Sequence, residues 1–579
     1  MTENIPNPSL PVDNLAFGKI VEVDGTHIIA ELDPKVSELS RIHNGQIYPV
    51  GQFGSILKVH FGRRIIYGYV GRLRMKAEYE SEIGLRSSSD PDARVVEADL
   101  FGEGEWILAA SGGKPEWRLH FERGVSTFPL PQQVVYLTPK EELRFIFGEG
   151  GKSSIKIGEH VGSGDAPCYA DLNELLGKHT AILGSTGAGK SGTVAAIIHL
   201  ILNHGSSRGY GTWKPQIVIL DPHNEYSSAF EKHIRLSTDE GNLSLPYWLL
   251  NFQETIALFI GKTEFVATSQ ANIIKNALLN GRAAGAQAIG FPGRVTVDSP
   301  VPYKLEDFVD GVNRQRPSGQ NKKEQEPFDS VVNKLESLRR DARMTFLMSP
   351  WTGGSDPFGT IVSQLFGGTD QVRIIDLSGV PNEVAGIASA VIARTLFTCK
   401  VWQSPNERKL SPVLLVCEEA HRYVPNSGEA QYEAAQEAIR RIAKEGRKYG
   451  IGLILVSQRP SEVEATVLSQ CNSWIVLRLT NEVDRNHVRS ILPDSLSGLT
   501  KVLSGLRRRE AIFAGQAAML PSRILVCNLK EDQLPHSHDI NFNDGWQSDP
   551  LTEEQLNEIG SRWRSQDRNS TSAIRSASR

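Results

Sequence analysis

Few stretches constrain a fold as tightly as residues 179–202 of this chain, His-Thr-Ala-Ile-Leu-Gly-Ser-Thr-Gly-Ala-Gly-Lys-Ser-Gly-Thr-Val-Ala-Ala-Ile-Ile-His-Leu-Ile-Leu. A short apolar run, Ala181 to Leu183, enters a glycine-rich turn, and a helical pattern follows it. That is the setting in which G-x4-G-K-[ST] means a phosphate-binding loop. Three glycines let the backbone fold tightly with several N–H groups pointing inward. The loop opens a helix, whose positive dipole end then faces an anion. Gly184, Ser185, Thr186, Gly187, Ala188, Gly189, Lys190, Ser191 and Gly192 are therefore the candidate ATP-binding residues. Lys190 is placed to neutralise the β- and γ-phosphates, a catalytic role, and the Ser191 hydroxyl to complete a Mg²⁺ shell. The competing reading, a flexible glycine loop in a surface turn, loses ground once a matching acidic motif is found.

With 579 residues the chain is long enough for more than one domain. Lys and Arg number 63 against 67 Asp and Glu, a net charge of −4, which excludes a chain that is basic throughout. Any contact with nucleic acid must then be local, in a pore or groove. Cys168, Cys399, Cys417, Cys471 and Cys527 show no C-x-x-C spacing, which reads as free thiols in a reducing compartment. The first residues lack the basic and apolar regions of a signal peptide, and the longest apolar runs fall short of a bilayer span. The expectation is a cytoplasmic protein with no membrane partner.

Residues 1–150 form the first expected domain. From residue 15 to about 147 short runs such as Phe17-Gly-Lys-Ile-Val-Glu-Val and Arg64-Ile-Ile-Tyr-Gly-Tyr-Val alternate apolar and polar positions between Gly, Asp and Asn turns. This predicts a small antiparallel barrel suited to assembly or docking. Residues 151–530 alternate strands with helices, the pattern of an α/β fold with a mostly parallel sheet. Its strand-like runs are residues 180–183, 216–220, 372–377, 413–416, 452–456 and 474–477, and their near-continuous apolar content fits burial on both faces. Residues 250–350 read as a helical insertion, with helical periodicity over 263–280 and 328–347 and a mobile polar loop at 314–327. Residues 531–579 form a C-terminal extension. Its end, from Arg562 onward, carries five arginines among Ser, Thr and Asn, and reads as a disordered tether or a frayed end.

Val413-Leu-Leu-Val-Cys-Glu-Glu-Ala-His421 is an apolar strand ending in two carboxylates. A phosphate-loop enzyme needs one acid at a strand end to hold magnesium and a second to polarise the attacking water. Glu418 takes the metal role, and Glu419, beyond the strand and nearer the cleft, the catalytic one. Ile217-Val-Ile-Leu-Asp221-Pro-His-Asn-Glu225-Tyr ends another strand in acids. Asp221 and Glu225 point to the same crevice, with an N-cap role for Asp221 as the other reading. Gln458, at the tip of Leu453-Ile-Leu-Val-Ser-Gln, is placed to sense the γ-phosphate or simply to end its strand. The segment Glu433 to Gly450 reads as a helix with Arg440, Lys444, Arg447 and Lys448 at i, i+4, i+7 and i+8. Such a face is either solvated or supplies a cation across a subunit interface, with Arg447 the candidate and Arg441 and Lys178 as substitutes.

In their order, these motifs resemble the HerA family of hexameric DNA-translocating ATPases, in the HerA–FtsK branch, as a bacterial member. The stretches that carry the resemblance are Lys178-His-Thr-Ala-Ile-Leu-Gly-Ser-Thr-Gly-Ala-Gly-Lys-Ser, Leu220-Asp-Pro-His-Asn-Glu-Tyr, Cys417-Glu-Glu-Ala-His, Lys444-Glu-Gly-Arg-Lys-Tyr-Gly and Val456-Ser-Gln-Arg-Pro-Ser. The likeness covers about residues 15 to 530. Departures are Glu418, where Asp is usual, and the polar loop at 314–327. The resemblance implies a RecA-like P-loop core behind an N-terminal HAS-type barrel, ATP and Mg²⁺ as cofactors, and a homohexamer around double-stranded DNA. It further implies a partner at the barrel end, a NurA-like or other nuclease or a sirtuin-like effector, in DNA end processing or phage defence.

Two functions are expected on these grounds. One is a DNA translocase or helicase whose pore segments lie at residues 422–433 and 460–466. The other is a nucleotide-gated ring scaffold that activates an effector enzyme without moving DNA. A protein-unfolding ATPase ranks behind both, since nothing resembles an aromatic pore loop.

Overall fold

The computed structural model describes residues 8–36, 38–84, 92–111, 114–148, 151–161, 166–260, 268–318, 321–426, 433–492, 500–536 and 540–566. The chain divides into two compact units: one holds residues 1–175, 184–189 and 473–528, the other residues 176–183, 190–472 and 529–579.

The first unit begins with strands β1 (Ala16–Asp24), β2 (His27–Leu32), β3 (Ser40–His43), β4 (Gln46–Pro49), β5 (Ile56–Phe61), β6 (Arg64–Met75), β7 (Arg94–Ser111), β8 (Lys114–Arg123) and β9 (Val134–Leu137). They pair in the order β2-β1-β9-β5-β6-β7-β8, and β2 also pairs with β7. That pairing closes six antiparallel strands into a barrel, with β8 extending beyond it. Alternation along the strands, reset in β1 by a register shift between Ala16 and Gly18, aims Phe17, Ile20, Ile28, Val59, Ile66, Val96 and Val135 into one core. A second sheet of this unit has the order β11-β10-β20-β19-β18, built from β10 (Ser154–His160), β11 (Pro167–Asp171), β18 (Ser473–Leu477), β19 (Glu510–Gly515) and β20 (Ser522–Val526). All its pairings are antiparallel. The run at 474–477 lies in β18, whose pairing with β19 is antiparallel.

The second unit is an α/β domain. Its six parallel strands run in the order β12 (Thr180–Leu183), β17 (Ile451–Ser457), β16 (Val413–Cys417), β13 (Gln216–Asp221), β15 (Val372–Asp376) and β14 (Ile234–Ser237). Every residue of β12, β15, β16 and β17 is buried, as parallel strands covered on both faces require. The helix Lys190–Arg208 leaves the phosphate loop and buries Val194, Ile197, Ile198 and Ile201.

Helices Phe252–Ile260, Thr268–Ala288, Leu305–Asn313 and Lys322–Arg340 make the insertion. The last of these starts inside the stretch expected to be a loop. Asn321 caps it by accepting from the Lys323 N–H, and Pro327 sits within its second turn. The helix Asn382–Trp402 corrects another expectation, since by length and composition it is apolar enough to cross a membrane. It is a core helix, with 78% of that apolar window buried. At the C-terminus, helix Glu553–Ser565 includes Arg562, where a disordered tail was expected to begin. Thr552 caps it in a reciprocal capping box with Gln555. Residues 567–579 of that tail lie outside the described residues.

Candidate active site

The phosphate loop is shaped by its glycines and pinned by its neighbours. Gly187 and Gly189 have φ of 74° and 100°, values that side-chain-bearing residues adopt only under strain. Within the first unit, Ser185 N–H donates to the Arg478 carbonyl (2.9 Å), and Ser185 Oγ accepts from Thr480 N–H (3.0 Å). Arg509 N–H donates to the Ala188 carbonyl (3.2 Å). Arg509 itself has φ of 68°, a conformation held in place by its guanidinium bond to the Val526 carbonyl (2.7 Å). These anchors carry no motif and were invisible in the sequence.

In the second unit, Lys190, Ser191 and Gly192 form the first turn of the helix that follows. Lys190 is 8% exposed. Ser191 Oγ donates to Glu225 Oε2 at 2.6 Å. The acids gather at the carboxyl ends of the strands because parallel register aligns those ends: Asp221 pairs with Asp376, and Cys417 with Leu220. Glu418 follows β16 directly and its N–H donates to the Leu220 carbonyl (3.2 Å). This carboxyl is buried, and burial raises its pKa to about 8, offset in part by the Tyr226 hydrogen bond and the Lys190 charge. The Tyr226 hydroxyl donates to Glu418 Oε2 at 2.5 Å. Asp221 is fully buried, and burial pushes its pKa up although it accepts from the N–H groups of His223 (3.1 Å) and Tyr226 (3.0 Å). Asp221 thus organises the turn that delivers Glu225 and Tyr226, close to the capping role weighed for it. Tyr226 is the residue sequence reasoning missed here, since a lone tyrosine after a strand announces nothing.

Glu419 sits one residue beyond Glu418 in a left-handed conformation, φ 52° and ψ 53°. It is 6% exposed, and its Oε2 has no hydrogen-bond partner. His421 Nδ1 lies 3.3 Å from that oxygen, off the hydrogen-bond direction, and 3.3 Å from Ser457 Oγ. Burial lowers the pKa of His421, against an opposing pull from Glu419, so the ring is neutral at pH 7. Gln458 follows β17 at this same carboxyl edge.

Three of the expected cations are not brought to this edge. The α-helix Glu433–Glu445 ends before Arg447, which occupies a 3₁₀ turn, Gly446–Tyr449, so the expected continuous basic face is broken. Arg440 on that helix is paired with Glu464 (3.0 Å) and Glu437 (2.8 Å). Arg447 and Lys178 precede β17 and β12, at the amino edge of the sheet, about 20 Å from the carboxyl edge along seven-residue β17 and about 13 Å along four-residue β12. Arg441 stacks over Phe397 (4.7 Å). Arg447 is exposed.

Among the described residues no group of three or more His, Cys, Asp or Glu is arranged to hold a metal ion. Magnesium that arrives on a triphosphate needs only one or two protein oxygens, and the hard oxygens of Ser191 and Glu418 fit it. The two candidate pore segments lie side by side. Asn426 N–H donates to the Glu462 carbonyl (2.7 Å) and Glu464 N–H to the Val424 carbonyl (2.9 Å), with Pro425 and Val463 bridged between them. Residues 427–432 of the first segment lie outside the described residues.

Comparison with known proteins bears on this arrangement. Residues 155–396 match the family described as "Helicase HerA, central domain". A probable helicase of Methanocaldococcus jannaschii is 26% identical over 433 residues, covering 74% of this chain and 76% of its own. Two proteins named DNA double-strand break repair helicase HerA, from Sulfolobus acidocaldarius and Sulfurisphaera tokodaii, are each 28% identical. They cover 72% and 69% of this chain and 77% and 73% of their own lengths.

Proposed function

The chain is a member of the HerA helicase family and an ATPase, and we propose that it is an ATP-driven translocase of double-stranded DNA, working as a homohexamer. The observation that carries the proposal is the carboxyl-edge cluster: Lys190 and Ser191 opening a helix, buried Glu418 held by Tyr226, and Glu419 with a free carboxylate oxygen. In this reading residues 184–192 cradle the phosphates of ATP, and Lys190 balances their charge. Ser191 and Glu418 would hold magnesium, which supplies charge neutralisation on the phosphates. Glu225 accepts the Ser191 hydroxyl until nucleotide binds. Glu419 takes the role of general base for the attacking water, and Gln458 senses the γ-phosphate.

Arg447 is exposed at the opposite edge, too far to serve its own site. That position supports a role in a neighbouring subunit's site, stabilising transition-state charge. The paired segments around residues 422–426 and 460–464 are the proposed DNA-contacting loops, reading backbone and not bases. The barrel is the proposed docking end for an effector enzyme, a nuclease or a sirtuin-like protein, and the cytoplasm the proposed compartment.

The test is ATPase rate with and without linear duplex DNA at low salt. Stimulation of several-fold is expected, and its absence overturns the motor. Glu419→Gln should bind ATP and stop turnover. If that variant still activates a co-purifying effector fully, the chain is a nucleotide-gated scaffold instead.

A further inference from the structure

Glu419 has an unusual setting for a general base. Its backbone is in the left-handed region, where a glutamate is strained, and its carboxylate is nearly buried with one oxygen unpartnered. Such an oxygen is costly to leave unmade, so the site is poised to accept a donor. His421 Nδ1 lies 3.3 Å away, and that nitrogen is equally distant from Ser457 Oγ. A neutral imidazole carries one ring N–H, so Nδ1 can donate to Ser457 or to Glu419 but not to both. Ser457 Oγ also accepts from the Arg459 N–H (3.1 Å) and is the last residue of β17, directly before Gln458.

The position of that choice along the chain matters. Residues 422–426 follow His421 at once, and residues 460–464 follow Ser457 and Gln458. The backbone bonds between these two segments make them move together. His421 thus stands where the paired loops meet the carboxylate.

We propose that His421 is a positioning residue that transfers its Nδ1–H bond from Ser457 to Glu419 when the paired loops shift, aligning the Glu419 carboxylate for hydrolysis. In the free protein the bond rests on Ser457 and Glu419 Oε2 is left open. A shift of the loops draws Ser457 away and gives the N–H to the carboxylate, a stronger, charge-assisted bond. No proton leaves the ring and no bond other than this hydrogen bond changes. The inference rests on Glu419 acting as the base.

The experiment uses the full chain, steady-state ATPase, and linear duplex DNA as the probe. His421→Ala should lower DNA-stimulated kcat at least tenfold while the KM for ATP stays within twofold. His421→Asn, whose amide reaches the Nδ1 position, should recover most of that loss. Ser457→Ala frees the ring for Glu419, so the rate without DNA should rise several-fold and the stimulation ratio should shrink. Wild-type kcat in His421→Ala, or an unchanged DNA-free rate in Ser457→Ala, overturns the proposal. If His421→Ala fails to fold by circular dichroism, Ser457→Ala decides alone. Glu419→Gln separates the two levels. Normal turnover in that variant removes the proposed function, whereas a dead Glu419→Gln beside an unaffected His421→Ala removes only the role of His421.

Discussion

Replacing Tyr226 with phenylalanine removes one buried hydroxyl and nothing else of substance. The ring is fully buried, and its backbone N–H, which holds Asp221, is untouched. What is lost is the bond to Glu418 Oε2. Because burial raises the Glu418 pKa to about 8, the carboxyl is protonated at pH 6 and ionised at pH 9.5 in the metal-free protein. A neutral hydrogen bond contributes about 1 kcal/mol, and one to a charged group about 1.5–3 kcal/mol. The Tyr226 bond favours the charged form, so losing it must cost more where Glu418 is charged. The destabilisation of Tyr226→Phe should therefore grow from about 1 kcal/mol at pH 6 to about 2.5 kcal/mol at pH 9.5. For a cooperative unit of roughly 350 residues this is a Tm difference widening from about 1.5 °C to about 3.5 °C. Thermal melts of both proteins in chelator, at matched pH steps, measure it. A Glu418→Gln background should make the difference independent of pH. A constant difference in the Glu418-bearing protein would refute the assignment of Glu418 as a buried acid titrating near neutrality against Tyr226.

Three further outcomes are expected. His160, stacked on Phe147 at 3.7 Å, has its pKa lowered to about 3 by burial, below the ordinary 6.5. The unfolded chain then binds the extra proton between those values, so stability falls as pH drops from about 6.5 toward 3, by about 1.4 kcal/mol per unit from this residue. His160→Phe should flatten the acid limb of a denaturation-versus-pH curve by that amount. Gly205→Ala places a methyl 2.2 Å from Trp213 Cβ, and the displaced indole, which donates to the Ile201 carbonyl, should cost about 2 kcal/mol despite the better helix propensity. Chemical denaturation of the variant checks this. Arg447→Ala should keep ATP binding and lose hydrolysis by about a hundredfold or more, whereas Lys190→Ala should lose binding. Equal loss of binding in both would refute the shared-site reading.

The local structure around the candidate site was legible because it depends on chain-local rules. A strand, glycines and a helix start are fixed by residues 180–208, and apolar runs ending in acids at Asp221 and Glu418 mark the carboxyl ends of strands wherever those strands pair. The barrel was legible from period-two alternation. Direction of pairing was not: an apolar strand buried on both faces, such as β18 with its antiparallel pairing to β19, reads alike in parallel and antiparallel sheets. Of the helix over residues 322–340 only the start, residues 322–327, was hidden, because that stretch is polar and packing begins only at Phe328.

By itself the sequence determined a phosphate loop, paired acids and their order along the chain. Only the tertiary structure decided what each acid faces. The parallel register lays Asp221 beside Asp376 and lets the chain after β13 return Tyr226 to Glu418 across 192 residues of sequence, and it parts Arg447 from them by the length of a strand. The physical reason is range. Propensity and loop geometry act over a few residues, whereas burial, pKa and the partner of a hydrogen bond are set by atoms that meet only once the sheet has formed.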